Sequence, residues 1–517
     1  GDDALDPKAA GVYHLNLTAS KNSKLTGAIL ENPDSPVKNE ISLSMSNSQW
    51  SFNKSSSLNN LDANSSEITF TPTSEYKTLT IKDNLTGSST FNLNTNIAEN
   101  KSDKIIVQGT AEGSHKIGVT NQGANVANGK VTLVETNGGN AAFSLTNPNN
   151  RVDLGAYQYF LTKEGNNWVL ANSKNAVTPT PPVAPVTPSN PVVTPSNQVV
   201  TPSNPVVPPT APVLPSTPLL SDLANAQVSL RQAQLLLVED DLSGIHQRLG
   251  EVKNGEKGNV WVRNVNSRQK LAALSTGESK TSGFKQNVHS LQVGADAAVT
   301  DNLRVGGFVG RSQANVDFNG YYGDGKVRSN SVGLYAAYLA DNGIYVDNIV
   351  KYSRLHANSD HTEKRHYNAY TISSELGKRF TLANDWTITP QAQLAWTHIS
   401  SQENEDSLSS VYSRIGLRVA KGFALSNGWN LQPYAEVNAI TSKNRSSKIH
   451  YTNSALDVAS SRGRFESAVG LNAGFANHRF GLEVSRADGK NFKRFIAING
   501  NIRGRSKIRP FSLLLNK

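Results

Sequence analysis

The stretch Trp386-Thr387-Ile388-Thr389-Pro390-Gln391-Ala392-Gln393-Leu394-Ala395-Trp396-Thr397 decides the fold class. One face carries Trp386, Ile388, Pro390, Ala392, Leu394 and Trp396, and the other carries Thr387, Thr389, Gln391, Gln393, Ala395 and Thr397. Successive side chains of a strand point to opposite faces, so one face here is apolar and the other largely polar. Segments of about ten residues with that alternation mark a transmembrane β-barrel with a wet lumen. Trp386, Ile388, Leu394 and Trp396 are therefore expected to face lipid or the interfacial girdle.

The same alternation recurs over the rest of the C-terminal half. Twelve strands are predicted: 258–266, 288–299, 303–318, 327–340, 343–356, 369–382, 386–398, 410–424, 428–441, 462–475, 478–487 and 493–503. Short connections such as Thr300-Asp301-Asn302 and Asp341-Asn342 alternate with longer ones at 267–287, 319–326, 357–368, 399–409, 442–461 and 488–492. An even strand count with short turns on one side and long loops on the other is the outer-membrane arrangement, with the short turns periplasmic. The first connection is long, so strand one runs outward and both barrel ends lie on the periplasmic side.

Composition agrees with this reading. No apolar run approaches the roughly 20 residues of a membrane-spanning helix, which says nothing against a barrel. The sequence opens at Gly1 without a charged-then-apolar leader, so a signal peptide is expected to have been removed or to lie outside it. The absence of cysteine excludes thiolate zinc sites, iron–sulfur clusters and thiol catalysis. It suits a chain that must thread a pore unfolded. The net charge of +10 comes from 51 basic and 41 acidic residues scattered through polar segments. With no basic helix and no aromatic-basic module, a nucleic-acid partner is not expected.

Three segments precede the strands. Residues 1–170 are rich in Asn, Ser, Thr and Gly, with short apolar runs such as Glu67-Ile68-Thr69-Phe70 and Lys104-Ile105-Ile106-Val107. These fit the coils of a parallel β-helix, although an irregular repeat leaves a β-sandwich open. Residues 171–218 form a Pro-rich spacer in which Thr-Pro-Ser-Asn recurs from Thr187, Thr194 and Thr201. Residues 219–252 lose proline and carry Leu223, Val228, Leu230, Leu235, Leu242, Ile245 and Leu249, with Gly250 near the stop. One helix of roughly 48 Å is predicted there. Its charges, including Asp222, Arg231, Glu239, Asp240, Asp241, His246 and Arg248, could not face lipid, so it is placed in the barrel lumen. A twelve-stranded barrel is wide enough for a helix and is nearly filled by one.

At this point the chain resembles the pertactin-like autotransporters of the type V secretion class. The resemblance in the first half rests on Leu79-Thr80-Ile81, Leu85-Thr86-Gly87, Phe91-Asn92-Leu93, Asp103-Lys104-Ile105-Ile106-Val107, Thr132-Leu133-Val134 and Ala142-Phe143-Ser144-Leu145. It continues through Val152-Asp153-Leu154-Gly155-Ala156-Tyr157-Gln158-Tyr159 and Trp168-Val169-Leu170. In the second half it rests on Gln247-Arg248-Leu249-Gly250-Glu251, Val260-Trp261-Val262-Arg263, Leu291-Gln292-Val293-Gly294-Ala295-Asp296, Val332-Gly333-Leu334-Tyr335-Ala336-Ala337-Tyr338 and Leu431-Gln432-Pro433-Tyr434. Singly these motifs are weak; in this order they are specific. The resemblance implies a right-handed β-helix passenger on the cell surface, with an autochaperone stem at about 77–170, a helix in the pore and a twelve-stranded barrel at 253–517. It also implies a bacterial outer-membrane location, with outer-membrane lipid, the barrel assembly machinery and periplasmic chaperones as partners. Adhesion to a host surface or self-association with like passengers is the role it suggests. One departure is visible. The family closes on a strand with a terminal aromatic, whereas Phe495 to Arg503 here runs on into a basic, Pro-containing tail at 504–517. The twelfth strand is expected to stop near Arg503.

The residues offer little chemistry. There is no Gly-x-Ser-x-Gly elbow and no Gly-rich phosphate loop, so neither an enzyme nor a cofactor is expected. His14 and His115 are read as surface histidines. His356, His361 and His366 are spaced by five in a predicted outer loop, and this fits no standard zinc motif. Some autotransporters cleave themselves at an Asn-Asn pair in the pore helix, where the side-chain amide attacks its own carbonyl carbon. No such pair occurs here; Asn225 is the helix candidate, and Asn254 lies at the helix–barrel junction. Two further function classes stay open from sequence: an outer-membrane porin without a functional passenger, and a surface hydrolase.

Overall fold

The computed structural model describes residues 12–122, 129–177, 214–250, 258–452, 454–460 and 462–505. Most of the spacer, Asn254 and the tail 506–517 lie outside the described residues. The chain forms two compact units, one N-terminal and one holding the helix and the barrel.

The N-terminal unit is a parallel solenoid built from three columns of apolar residues in register. One column runs Leu17, Leu43, Leu61, Leu85. A second runs Leu25, Trp50, Ile68, Phe91, Ile117, Leu145, and a third Leu58, Ile81, Val107. Each coil buries its apolar residues against the next, so stacking supplies the core that no single coil has. The offset between coils varies, from 26 residues at Val12–Lys38 to 18 at Ser48–Ser66 and 26 again at Ser89–His115, which is why the repeat looks irregular in sequence. The parallel stack ends in antiparallel strands, Arg151–Leu154, Tyr157–Glu164 and Asn167–Ala171, the last of which pairs with Lys130–Thr136.

Polar residues are also built into this core, Asp103 and His115 among them. The buried Asp103 carboxylate accepts three 2.8 Å bonds, from the backbone amides of Lys77 and Asn94 and from the Asn94 side chain. His14 is exposed and lies 3.0 Å from Glu40. His115 corrects the surface reading, because it is only 1% exposed and sits between the rings of Phe91 and Phe143. Its Nδ1 accepts from the Ser89 amide at 3.3 Å, and its Nε2 faces the Glu112 carbonyl at 2.8 Å. That pairing selects the neutral ring with its proton on Nε2. Burial holds its pKa below the ordinary value of 6.5, against a smaller opposing pull from the Glu112 carbonyl.

The second unit is a closed antiparallel barrel. Its strands are β1 Gly258–Leu271, β2 Phe284–Ala298, β3 Leu303–Phe318, β4 Asp324–Leu339, β5 Ile344–Ser359, β6 Thr362–Lys378, β7 Trp386–Ile399, β8 Leu408–Lys421, β9 Asn430–Asn444, β10 Arg464–Phe475, β11 His478–Asp488 and β12 Phe492–Arg505. Each pairs with its sequence neighbour, and β12 pairs with β1 to close the ring. Along β7, Trp386, Pro390, Ala392, Leu394 and Trp396 point outward while Thr389, Gln391, Gln393 and Thr397 are buried. Ile388 shares the outward parity and is partly covered.

Three boundaries differ from the sequence reading. Several strands extend further on the long-connection side, because there the outward positions turn polar (Lys285, Asn287, Lys326) and the apolar alternation disappears. The histidine loop shrinks to a tight turn: His356 and His366 are cross-strand partners on β5 and β6, and His361 alone lies between the strands. The twelfth strand runs past Arg503, with Gly504 and Arg505 paired to Val260 and Asn259.

Cross-strand aromatic–glycine pairs explain two of the barrel motifs. Trp261 lies opposite Gly294 and Phe308 opposite Gly333, and a β-carbon at either glycine would collide with the facing ring. These pairs pin register as aromatic–glycine pairs do in curved sheets.

Two outcomes are expected of the stem. Phe91→Ala, which empties the middle of a column, lowers stem stability by about 3–5 kcal/mol, read from urea-dependent proteolysis. A histidine held neutral by the fold contributes stability that is present above its unfolded pKa and is lost as pH falls. The protection factor of the Ser89 amide, the intrinsic exchange rate divided by the observed one at each pH, should therefore fall as pH drops below about 6.5, and His115→Gln should abolish that fall.

Candidate functional site

The lumen is where the barrel's charged residues meet the preceding chain. Two helices lie inside: α1, Asp222–Asp240, and α2, Ile245–Leu249. The single predicted helix is thus divided. Gly244 caps α2, with its amide bonded to the Gln247 side chain at 2.7 Å, and the backbone leaves the helical path over 241–244. Residues 251–252 lie outside the described residues.

The N-terminal part of α1 is held by the long connections. Asn225 is paired twice with Ser282, its Nδ2 donating to the hydroxyl and its Oδ1 accepting from the amide, both at 2.9 Å. Cyclisation at Asn225 would have to break both bonds. Arg231 is fully buried, donates to the carbonyls of Ser400 (3.2 Å) and Asp406 (2.6 Å), and lies 3.8 Å from Glu405 and over the Tyr367 ring. Gln232 donates to the Ala459 carbonyl at 2.6 Å.

The C-terminal end of α1 carries Glu239, Asp240 and Asp241 in succession, and each is bound to a different wall. Glu239 accepts from Ser442 of β9 (2.7 Å) and pairs with Arg462 (2.8 Å). Asp240 pairs with Arg494 of β12 at 2.5 Å and accepts from Ser267 and Gln269 of β1. Asp241 is 2% exposed and is surrounded by β2 to β5. It accepts from Ser290 (2.9 Å), Gln292 (2.9 Å), Ser312 (3.2 Å) and Ser331 (3.2 Å), with Lys351 at 3.4 Å. Lys351 also donates to the Val238 carbonyl at 3.1 Å, taking up one of the free carbonyls at the helix end.

Carboxylates at a helix C-terminus oppose the macrodipole. Left alone they would destabilise α1; here the lumen supplies the compensating cations and hydroxyls. Arg248 of α2 completes the hold: it pairs with Asp347 of β5 at 2.5 Å, donates to Ser243, and stacks over Tyr335. Arg503 donates to the His246 carbonyl at 3.2 Å. A cavity of about 100 Å³ remains beside the break, lined by charged residues including Glu375, Arg414 and Glu436.

Arg231, Glu239, Asp240, Asp241 and Arg248 therefore all lie in the lumen and bind its wall. Their partners Lys351, Arg462, Arg494 and Asp347 were not singled out from sequence, because on a wet-lumen strand a charged inward residue is unremarkable. His356, His361 and His366 gather no ligand set, and among the described residues no group of three or more metal-ligating side chains occurs.

The family profile described as "Autotransporter beta-domain" matches residues 260–485, and the one described as "Pertactin" matches 43–172. A probable autotransporter of Escherichia coli K12, YcgV, is 31% identical over 530 residues, covering 95% of this chain and 52% of that protein. The pertactin autotransporter of Bordetella bronchiseptica is 32% identical over 469 residues, covering 84% of this chain and 49% of that one. The chain thus spans about half the length of these curated relatives. The crystal structure of the β-domain of the Bordetella autotransporter BrkA superposes with a TM-score of 0.41 at 24% identity, over 48% of this chain and 100% of that one.

A double-mutant cycle tests the Asp241 site. Breaking a buried pair by Asp241→Asn or by Lys351→Met should each cost about 3–5 kcal/mol in urea unfolding followed by heat-modifiable gel mobility. The double variant should cost clearly less than the sum of the two.

Proposed function

The chain belongs to the pertactin-like autotransporters, its barrel in the bacterial outer membrane and its passenger at the cell surface, and on that premise we propose that the barrel and lumen helices export and then anchor residues 1–170 for adhesion or self-association. One observation carries the export reading. The start of α1 is held among the long connections, by Ser282 and near His361, whereas α2 ends against Arg503, close to where β12 and β1 meet on the short-turn side. α1 therefore begins at the outer mouth of the lumen. A porin with an open lumen is disfavoured by the same helices.

The adhesive role is a reading of the passenger surface. Its coils expose ladders of Asn, Ser and Thr, and a groove of about 970 Å³ runs beside Lys24, Asn47, Glu67, Asn92 and Lys116. Such a surface offers many hydrogen-bonding groups for a host surface or a like passenger. We read the passenger as non-catalytic, with the barrel assembly machinery and periplasmic chaperones acting during biogenesis. Protease treatment of intact cells tests the topology. Loss of 1–170 with a protected fragment spanning 258–505 is expected; a protected passenger would overturn it.

A further inference from the structure

We propose that the outward face of β2–β6, just above the apolar belt, docks the phosphorylated headgroup of an outer-leaflet glycolipid. Two adjacent cross-strand rows make this surface. The first is His289, Gln313, Arg328, His356 and His366; the second is Leu291, Arg311, Asn330, Arg354 and Asn368. Neighbouring strands lie about 4.8 Å apart, so these side chains form one patch. Lys364, two residues before His366 on β6, extends it.

Neither row contains a carboxylate. Arg311 donates to Asn330 at 3.2 Å and Arg354 to Asn368 at 3.1 Å, both neutral acceptors. Among the described residues no carboxylate pairs with Arg311, Arg328, Arg354 or Lys364, in contrast to Arg248, Lys351, Arg462 and Arg494 of the lumen, each of which pairs with one. The patch forms a cleft of about 680 Å³ lined by His289, Arg311, Arg328, Asn330, His356 and Lys364.

Its position selects the occupant. The next row toward the short-turn side is Val293, Val309, Val332, Tyr352 and Tyr370, which begins the lipid-facing belt. A ligand seated on the cations would rest its apolar part on this row, which describes a membrane lipid rather than a soluble anion. The patch lies on the long-connection side, so the lipid belongs to the outer leaflet, whose glycolipids carry phosphate. Arginine side chains bind phosphate oxygens by paired, charge-assisted hydrogen bonds. Outside β2–β6, the outward cations on this side include Arg268 and Lys270 of β1, Lys443 of β9, Arg486 of β11 and Lys493 of β12, and Arg486 is held by Asp488 at 3.1 Å.

The test is native mass spectrometry of the full chain in detergent, offered bacterial phosphorylated glycolipid, its dephosphorylated form, or a two-acyl phospholipid. The unaltered chain should retain the phosphorylated glycolipid, and Arg311→Gln/Arg328→Gln/Arg354→Gln should retain it at least about tenfold less. Lys443→Gln/Lys493→Gln should match the unaltered chain. Equal retention by the triple variant, or of the dephosphorylated form or the phospholipid, would overturn the proposal, as would complete displacement by inorganic phosphate. The lipid comparisons use the unaltered chain and so decide the matter even if the triple variant misfolds, which its heat-modifiable mobility reports.

Discussion

Three consecutive carboxylates at the end of one helix bind three different walls of the barrel, and the arrangement of the lumen depends on them. Moving a carboxylate out of water costs several kcal/mol, and pairing repays this only when the remaining lone pairs are also satisfied. Asp241 meets that condition with four donors and Lys351. An apolar helix could be as stable in an apolar pore. Charged partners at fixed heights do something else: they define how deep the helix sits and how it is rotated. A shift by one residue would leave buried charges on both sides unpaired.

The helix break follows from the same constraint. A helix turns about 100° per residue, so Glu239 and Asp240 at the end of α1 and Asp241 just after it fan out to three walls. Arg248 must then return to Asp347, which shares the lumen face of β5 with Lys351. The non-helical residues 241–244 make that return possible, and Gly244 restarts the helix. The stem solves its own problem differently. It stacks in-register apolar columns and lets buried polar groups, Asp103 and His115, bridge adjacent coils.

Much of this was legible in the sequence. Alternation across Trp386–Thr397 gave the strand faces, and the alternating connections gave the topology. The acidic run Glu239–Asp241 does not read as a helix end in the sequence, where one helix is predicted over 219–252; only the break at 241–244 sets it against the helix dipole and makes it demand cations from elsewhere. Which cations could not be read, because Lys351 and Arg494 look like any inward residues of a wet lumen. The strand ends near Lys285 and His356 were hidden because polarity on both faces erases the period of two. His115 was misplaced because a histidine in a column position carries no mark in the sequence; only the coil register puts it between Phe91 and Phe143.

The most direct measurement of the central claim is single-channel conductance in planar bilayers. The unaltered chain should remain closed or nearly so, and Glu239→Gln/Asp240→Asn/Asp241→Asn should open repeatedly to the conductance of a barrel lacking 222–249. A triple variant as closed as the unaltered chain, or an unaltered chain that conducts like the empty barrel, would contradict the account.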